Sequence, residues 1–225
     1  MTAIHVWGIV STRALRVHWT LQELGLAYGT TPIRTRTPEQ TAPAYRAVNL
    51  LHKIPTMEID GVRYTESGAI ALELAARFRD RVDLWPEAER ARVLEWCFYV
   101  AMELDATSLY IIRRHGDLSE IYGEAPVAVS GAREYWLKQA AKAEAALADG
   151  RPWLLGETFS VADIMLGSCL GWAGRRDVAV PQVLRDYDTR LHARPGRQRA
   201  EEANEGRMDT VAGGHEVART SRSEL

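Results

Sequence analysis

Along the first third of the chain, short apolar runs alternate with stretches of helical period. Ile4 to Trp7 is a brief apolar run that predicts a strand, and Gly8 to Ser11 turns the chain. From Thr12, the residues Ala14, Val17, Leu21 and Leu24 recur every three or four positions, the spacing of one helix face, and Gly25 closes that helix. Tyr28 to Ile33 predicts a second strand, Arg34 to Pro43 a polar loop, and Ala44 to Val48 one helical turn. Thr56 to Ile59 and Val62 to Tyr64 predict a hairpin, because the Asp60-Gly61 pair between them tolerates the positive φ of a tight turn. After Glu66-Ser67, the positions of Ile70, Leu72, Leu74, Ala75 and Phe78 fit a half-buried helix.

Beyond Arg79 to Pro86, a charged stretch that reads as a linker, the strand signals stop. Val93, Trp96, Cys97, Val100 and Leu104 keep the helical period, continued through Leu109, Ile111 and Ile112. Gly116 to Pro126 predicts a loop, and Val129 to Leu147 a long helix ended by Asp149-Gly150. Ser160 and Asp163 have the spacing of a capping box ahead of an apolar helix: the hydroxyl accepts from a backbone N–H and the carboxylate reaches back. Residues 182–203 predict the last amphipathic helices. From about Glu205 the chain is polar and Gly-rich, with too few apolar groups to offset the entropy of ordering, and is expected to be a disordered tail.

Composition narrows the function classes. There are 28 Lys and Arg against 30 Asp and Glu, a net charge of −2, so no nucleic-acid partner is implied. The arginines at 185, 190, 194, 197 and 199 are interleaved with Asp186 and Asp188 and read as a solvated helix face. No apolar run approaches the roughly 20 residues of a membrane span. The opening MTAIHVWGIV has no basic residue before its apolar part, so it reads as a strand and not a signal peptide. Cys97 and Cys169 sit on apolar helical stripes and build no disulfide or metal framework, which fits a reducing cytoplasm.

One stretch carries a specific resemblance. Ile54-Pro55, followed by a hairpin and by Glu66-Ser67 at a helix start, resembles the glutathione-binding half of a glutathione S-transferase, and the serine-type, bacterial-like members above all. The similarity runs over about residues 4 to 204, and Arg194-Pro195 resembles a further landmark of that family. It implies an α/β thioredoxin-like domain over residues 1–80, an all-α domain over 87–204, and a disordered tail over 205–225. Family members often show Asn-Pro-x-Gly-Lys-Val-Pro where this chain has Asn49-Leu50-Leu51-His52-Lys53-Ile54-Pro55, so the Pro and Gly of that run are missing.

The resemblance also implies a chemistry: activation of the glutathione thiolate for attack on a small electrophile, with glutathione as co-substrate and no metal. The expected setting is detoxification by a cytoplasmic homodimer. A thiol near pKa 8.5 must fall by about two units to be mostly ionised at neutral pH, roughly 2.7 kcal/mol. A hydrogen bond to a charged group contributes about 1.5–3 kcal/mol, and a helix N-terminus about 0.3–1 more. One hydroxyl at a helix start is therefore sufficient. Ser11 and Thr12 both stand at that start, with neither Tyr nor Cys beside them. Read locally both are helix caps; within the resembled domain either is the thiolate's partner, Ser11 being favoured because Thr adds a methyl near the sulfur. Lys53 corresponds to a position near the glycyl carboxylate, Ile54 ahead of Pro55 to the backbone pairing with the cysteinyl unit, and Glu66 and Ser67 to the grip on the γ-glutamyl end. The electrophile would face the helical domain, where Met102, Tyr110, Arg113 and Arg114 are candidates by position and none is assigned a role. Peroxidase or isomerase activity shares the same thiolate, and a transferase-like module kept for binding or assembly is the competing reading.

Overall fold

The protein, described here by a computed structural model over residues 2–176 and 178–207, opens with β1 (Ile4–Trp7), α1 (Thr12–Glu23) and β2 (Gly29–Thr31). Two short helices follow, α2 (Pro38–Thr41) and α3 (Pro43–Arg46), each starting on a proline, whose missing N–H costs nothing at a first helical position. The hairpin β3 (Thr56–Ile59) and β4 (Val62–Tyr64) leads into α4 (Ser67–Arg77). The second strand is shorter than its apolar pattern because Pro32 cannot donate to a ladder. The expected loop at 34–43 is partly helical for the proline reason just given.

Among the described residues the strands form one mixed sheet in the order β2-β1-β3-β4. β1 runs parallel to β2 through the α1 crossover and antiparallel to β3, and β3 is antiparallel to β4. The register decides where the chemistry can lie. Trp7, the last residue of β1, faces Thr56, the first of β3, and also Thr31, the last of β2; Tyr64, ending β4, faces Met57. The turn into α1, the loop after β2, the Ile54-Pro55 bend and the start of α4 therefore share one end of the sheet. This is the thioredoxin-like arrangement, with α1 and α4 packed on the sheet.

The remaining chain is helical: α5 (Arg90–Tyr99), a π-helical stretch Val100–Leu109, α6 (Tyr110–Ile112), a second π-helical stretch Arg113–Asp117, α7 (Ser119–Tyr122), α8 (Pro126–Leu147), α9 (Val161–Gly174), α10 (Gln182–His192) and α11 (Pro195–Asn204). α9 is apolar on nearly every face and is the core helix, with Ile164, Leu166 and Cys169 fully enclosed. One core runs from Val6, Trp19 and Leu74 in the first half to Trp136, Leu166 and Tyr187 in the second. Trp7, Ile33, Tyr45 and Ile54 form a smaller cluster beneath the Pro55 bend.

Several expectations change. The charged segment 79–86 is anchored rather than free: Leu84 is fully buried and its carbonyl accepts from the Val161 N–H at 3.0 Å. The loop at 116–126 contains α7, closed at Gly123 (φ +85°). The arginine-rich face is not all solvated. Arg197 is 1% exposed, with its guanidinium 4.5 Å over the Trp19 ring, and Arg194 forks onto Glu23 at 2.9 and 2.8 Å. α11 ends in a Schellman turn, Arg207 N–H to Glu202 O at 2.9 Å and Gly206 N–H to Ala203 O at 3.1 Å, so residues 205–207 are its cap. The rest of the expected tail, 208–225, lies outside the described residues. Among the described residues no helix is long and apolar enough to cross a membrane.

Candidate active site

Ser11 is the N-cap of α1, in an extended conformation (φ −144°, ψ 134°), and its Oγ accepts from the Ala14 N–H at 3.4 Å. That contact uses a lone pair and leaves the O–H free to donate. Thr12 is the first residue of the helix, with its Oγ1 3.5 Å from Arg175 Nη2. The turn ahead of them is held from the other end of the chain: the Val10 N–H donates to Asn204 O at 2.6 Å, and the Ser11 N–H to Asn204 Oδ1 at 3.3 Å. Asn204 at the end of α11 thus sets the shape of the hydroxyl-bearing turn, which no local signal could show.

Gly8 brings this turn against the Ile54-Pro55 bend. Its φ is +128°, and a Cβ built there would lie 2.8 Å from Ile54 Cβ, so only glycine fits. The Ile54-Pro55 peptide is cis. The Ile54 side chain is buried in the small cluster, while its backbone N–H and C=O bond to no other described group. The loop leading there is shaped by Tyr45 and Asn49. Tyr45 Oη donates to Lys53 O at 2.7 Å, and Asn49 Nδ2 donates to Lys53 O at 2.9 Å and Thr56 Oγ1 at 3.1 Å. His52, standing where the family run has Gly, adopts φ +55°, a glycine-like conformation for a branched-ring residue. The Lys53 side chain is exposed.

Glu66 is exposed and takes φ +65°, the left-handed region, directly before α4. Such strain is kept where the surroundings over-determine it, and it clusters at ligand sites. Ser67 begins the helix and is nearly buried. Its Oγ accepts from Arg16 Nη1 at 3.3 Å.

Arg16 is the part of the site that the sequence reading missed. It is 2% exposed and joins α1 to three other elements. Its Nη2 donates to Asp105 Oδ2 at 2.8 Å and its Nε to Ser168 Oγ at 2.7 Å, besides the bond to Ser67. Arg13, in the first turn of α1, also pairs with Asp105, Nη2 to Oδ1 at 2.5 Å, with its guanidinium 5.0 Å from the centre of the Tyr110 ring. Burial pushes the Asp105 carboxyl up, but Arg16 and Arg13 together outweigh it and hold the group ionised below the usual range. His18 lies between the Tyr28 hydroxyl (2.9 Å) and Gly8 O (3.0 Å); burial lowers it to about 4, so it supports the Gly8 turn as a neutral ring.

The two thiols are no nucleophiles. Burial pushes Cys97 up to about 12 and Cys169 to about 11. A cavity of about 500 Å³ opens beside Ser11 and Thr12, lined by Leu15 and Trp172 and reaching Arg113 and Asn204. Of the candidates for the electrophile's side, Arg113 lines it, Arg114 stacks on Tyr122 at 4.1 Å, and Met102 is exposed on the surface.

Comparison with known proteins identifies the family of this fold. The glutathione S-transferase N-terminal domain model matches residues 10–77, and the glutathione S-transferase C-terminal domain model matches residues 126–196. The chain belongs to the glutathione S-transferase family. Glutathione S-transferase GstA of Escherichia coli O157:H7 is 29% identical over 164 residues, 71% of this chain and 77% of that protein. A maleylacetoacetate isomerase of Rhizobium meliloti is 34% identical over 96 residues, 42% of this chain and 45% of that protein. The theta class glutathione S-transferase of Xanthomonas axonopodis pv. citri, solved with glutathione bound, superposes with a TM-score of 0.75 at 28% identity, over 89% of this chain and 97% of that one. In this family setting Arg16, Asp105 and Asn204 are what hold α1 and its turn in register with α4.

Proposed function

We propose that the chain is a glutathione-dependent transferase whose tripeptide lies along the shared end of the sheet. The observation that carries the reading is the strand register, which gathers the Ile54-Pro55 bend, the Glu66-Ser67 helix start and the Ser11-Thr12 turn at one place. Ile54 offers a free backbone N–H and C=O to the cysteinyl unit, as an extended peptide pairs with a sheet edge. Ser67 Oγ–H and the N-terminus of α4 receive the γ-glutamyl carboxylate, exposed Glu66 pairs with its ammonium, and Lys53 meets the glycyl carboxylate. Ser11 donates its O–H to the sulfur at the positive end of α1, with Thr12 the alternative donor. The thiolate so held attacks a small electrophile in the neighbouring cavity.

The two functional halves are taken as residues 1–80 and 87–204, and the assembly as a cytoplasmic homodimer acting in detoxification, without a metal. Glutathione-dependent isomerisation is the second reading, favoured by the similarity to the maleylacetoacetate isomerase. The deciding experiment is calorimetry with glutathione on the parent chain and on Ser67→Ala. Binding that weakens about tenfold or more in the variant supports the grip, a loss in keeping with one hydrogen bond to a carboxylate. No heat from the parent chain leaves only a binding or assembly module for some other partner.

A further inference from the structure

The cavity beside Ser11 and Thr12 has an unusual lining for a pocket meant to take an apolar molecule. Arg34 and Arg36 come from the loop after β2, Arg113 from the second π-helical stretch, and Arg175 and Arg176 from the end of α9. Of these five, only Arg176 has a carboxylate within 4 Å among the described residues, Asp117 at 2.5 Å. The two acids that share the lining are engaged elsewhere. Glu201 accepts from Arg197 Nε at 2.7 Å and sits 3.4 Å from His192, and Glu205 pairs with Arg207 at 2.5 Å. Four of the five guanidinium groups therefore border the cavity with no carboxylate within 4 Å among the described residues.

The arginines feel one another. Burial lowers Arg113, and Arg36 and Arg176 lower it further by like-charge repulsion against the pull of Asp117; burial, Arg197 and Arg176 lower Arg175 against Glu201 and Asp188. Arg176 Nε is buried with no partner among the described residues. Bringing four further guanidinium groups beside the Arg176–Asp117 pair is unfavourable unless another anion answers them, and planar guanidinium donors match a carboxylate's two oxygens. Leu15 and Trp172 line the same cavity and give it apolar surface for a carbon skeleton, and Arg175 reaches within 3.5 Å of Thr12 Oγ1, next to where the sulfur would lie.

We propose that this cavity is the acceptor site and that it selects electrophiles carrying a carboxylate, with the acid group held by Arg113, Arg36 and Arg176 and the reacting carbon left over Ser11 and Thr12. The inference rests on the glutathione reading given above. The reacting half would be unsaturated or aromatic, lying on Trp172 and Leu15.

The test compares two glutathione conjugates that share the tripeptide and differ only at the acceptor end: S-(para-carboxybenzyl)glutathione and the matching para-carboxamide. Each is titrated calorimetrically into the parent chain, into Arg113→Gln and into Arg36→Gln, with glutathione itself as reference. The carboxylate conjugate is expected to bind at least about tenfold tighter than the carboxamide, and the ratio to shrink as salt is raised. Either arginine substitution should reduce the ratio about threefold or more. Because the carboxamide is measured on the same variant, general loss of structure cancels from the ratio. Equal affinities in the parent chain, or a ratio that neither substitution moves, would overturn the proposal while glutathione binding still upheld the transferase reading. Failure of glutathione and both conjugates to bind would remove that reading, and this inference with it.

Discussion

Two aspartates are buried in the helical half and solve the same problem in opposite ways. Asp163, at the start of α9, is surrounded by neutral donors: the Leu154 N–H at 2.8 Å and Tyr187 hydroxyl at 2.6 Å on Oδ1, the Ser160 N–H at 2.8 Å and hydroxyl at 3.0 Å on Oδ2. Burial raises its carboxyl against those bonds. Asp105 sits between two arginines and is held below its ordinary range. The first ties a helix start to its preceding loop and to α10; the second ties α1, with its Ser11 turn, to α4 and α9 through Arg16. A neutral cage suits pure scaffolding, whereas a charged one fixes the orientation of the guanidinium groups beside Ser67 and the Ser11 turn.

Removing each acid should separate the two roles. Asp105→Ala leaves Arg16 buried without a counter-charge and is expected to cost about 3–5 kcal/mol of stability, with glutathione affinity falling in the molecules that remain folded because Arg16 then no longer positions Ser67. Asp163→Ala strands two N–H groups and two hydroxyls, about 3 kcal/mol or more, while glutathione affinity of the folded fraction stays within about twofold, well under the tenfold of 1.4 kcal/mol. Denaturant unfolding and calorimetry on both variants check the contrast. Equal effects on binding would dissolve the distinction between the two cages.

His18 sharpens the same contrast, being a buried group kept neutral. Its folded pKa, about 4, lies below the ordinary 6.5, so the unfolded chain takes up a proton first as pH falls. Its contribution is therefore complete above pH 6.5 and is lost toward pH 4, roughly 3 kcal/mol in all. Unfolding measured at pH 7 and near pH 4.5 should show this slope in the parent chain and a shallower one in His18→Gln. Gly8→Ala is expected to have a smaller effect, about 1–3 kcal/mol from the φ of +128° and the contact with Ile54, with weaker glutathione binding as the Ile54 edge is displaced.

The elements that could be read from the residues are those whose signals are local. The Asp60-Gly61 turn, the Pro55 bend, the helix after Glu66-Ser67 and the Ser160-Asp163 pair each occupy a few consecutive positions, and each forms. The Ser160 hydroxyl, besides its part in the capping box, also donates to the Asp163 carboxylate at 3.0 Å. The missing Gly of the 49–55 run is answered by His52 at φ +55° and by the Asn49 and Tyr45 bonds to Lys53 O, a substitution of side-chain support for backbone freedom. What could not be read is assembled across distance. Arg16 and Asp105 are 89 positions apart, and Ser11 and Asn204 are 193 apart. The arginine lining comes from three separate segments, each of which looks like an ordinary solvated cation on its own helix or loop. Arg197 misleads for the same reason, since an arginine's type says nothing about the acid or ring that the fold brings to it.

The central claim, that a hydroxyl at the start of α1 keeps a bound sulfur anionic, is tested most directly by the ultraviolet absorbance of the thiolate when glutathione is titrated with base on the parent chain, Ser11→Ala and Thr12→Ala. The expected thiol pKa is well below 8.5 in the parent, raised by about one to two units in Ser11→Ala and little changed in Thr12→Ala. A bound thiol that ionises no more readily than free glutathione, or a thiolate that survives both substitutions, would contradict it.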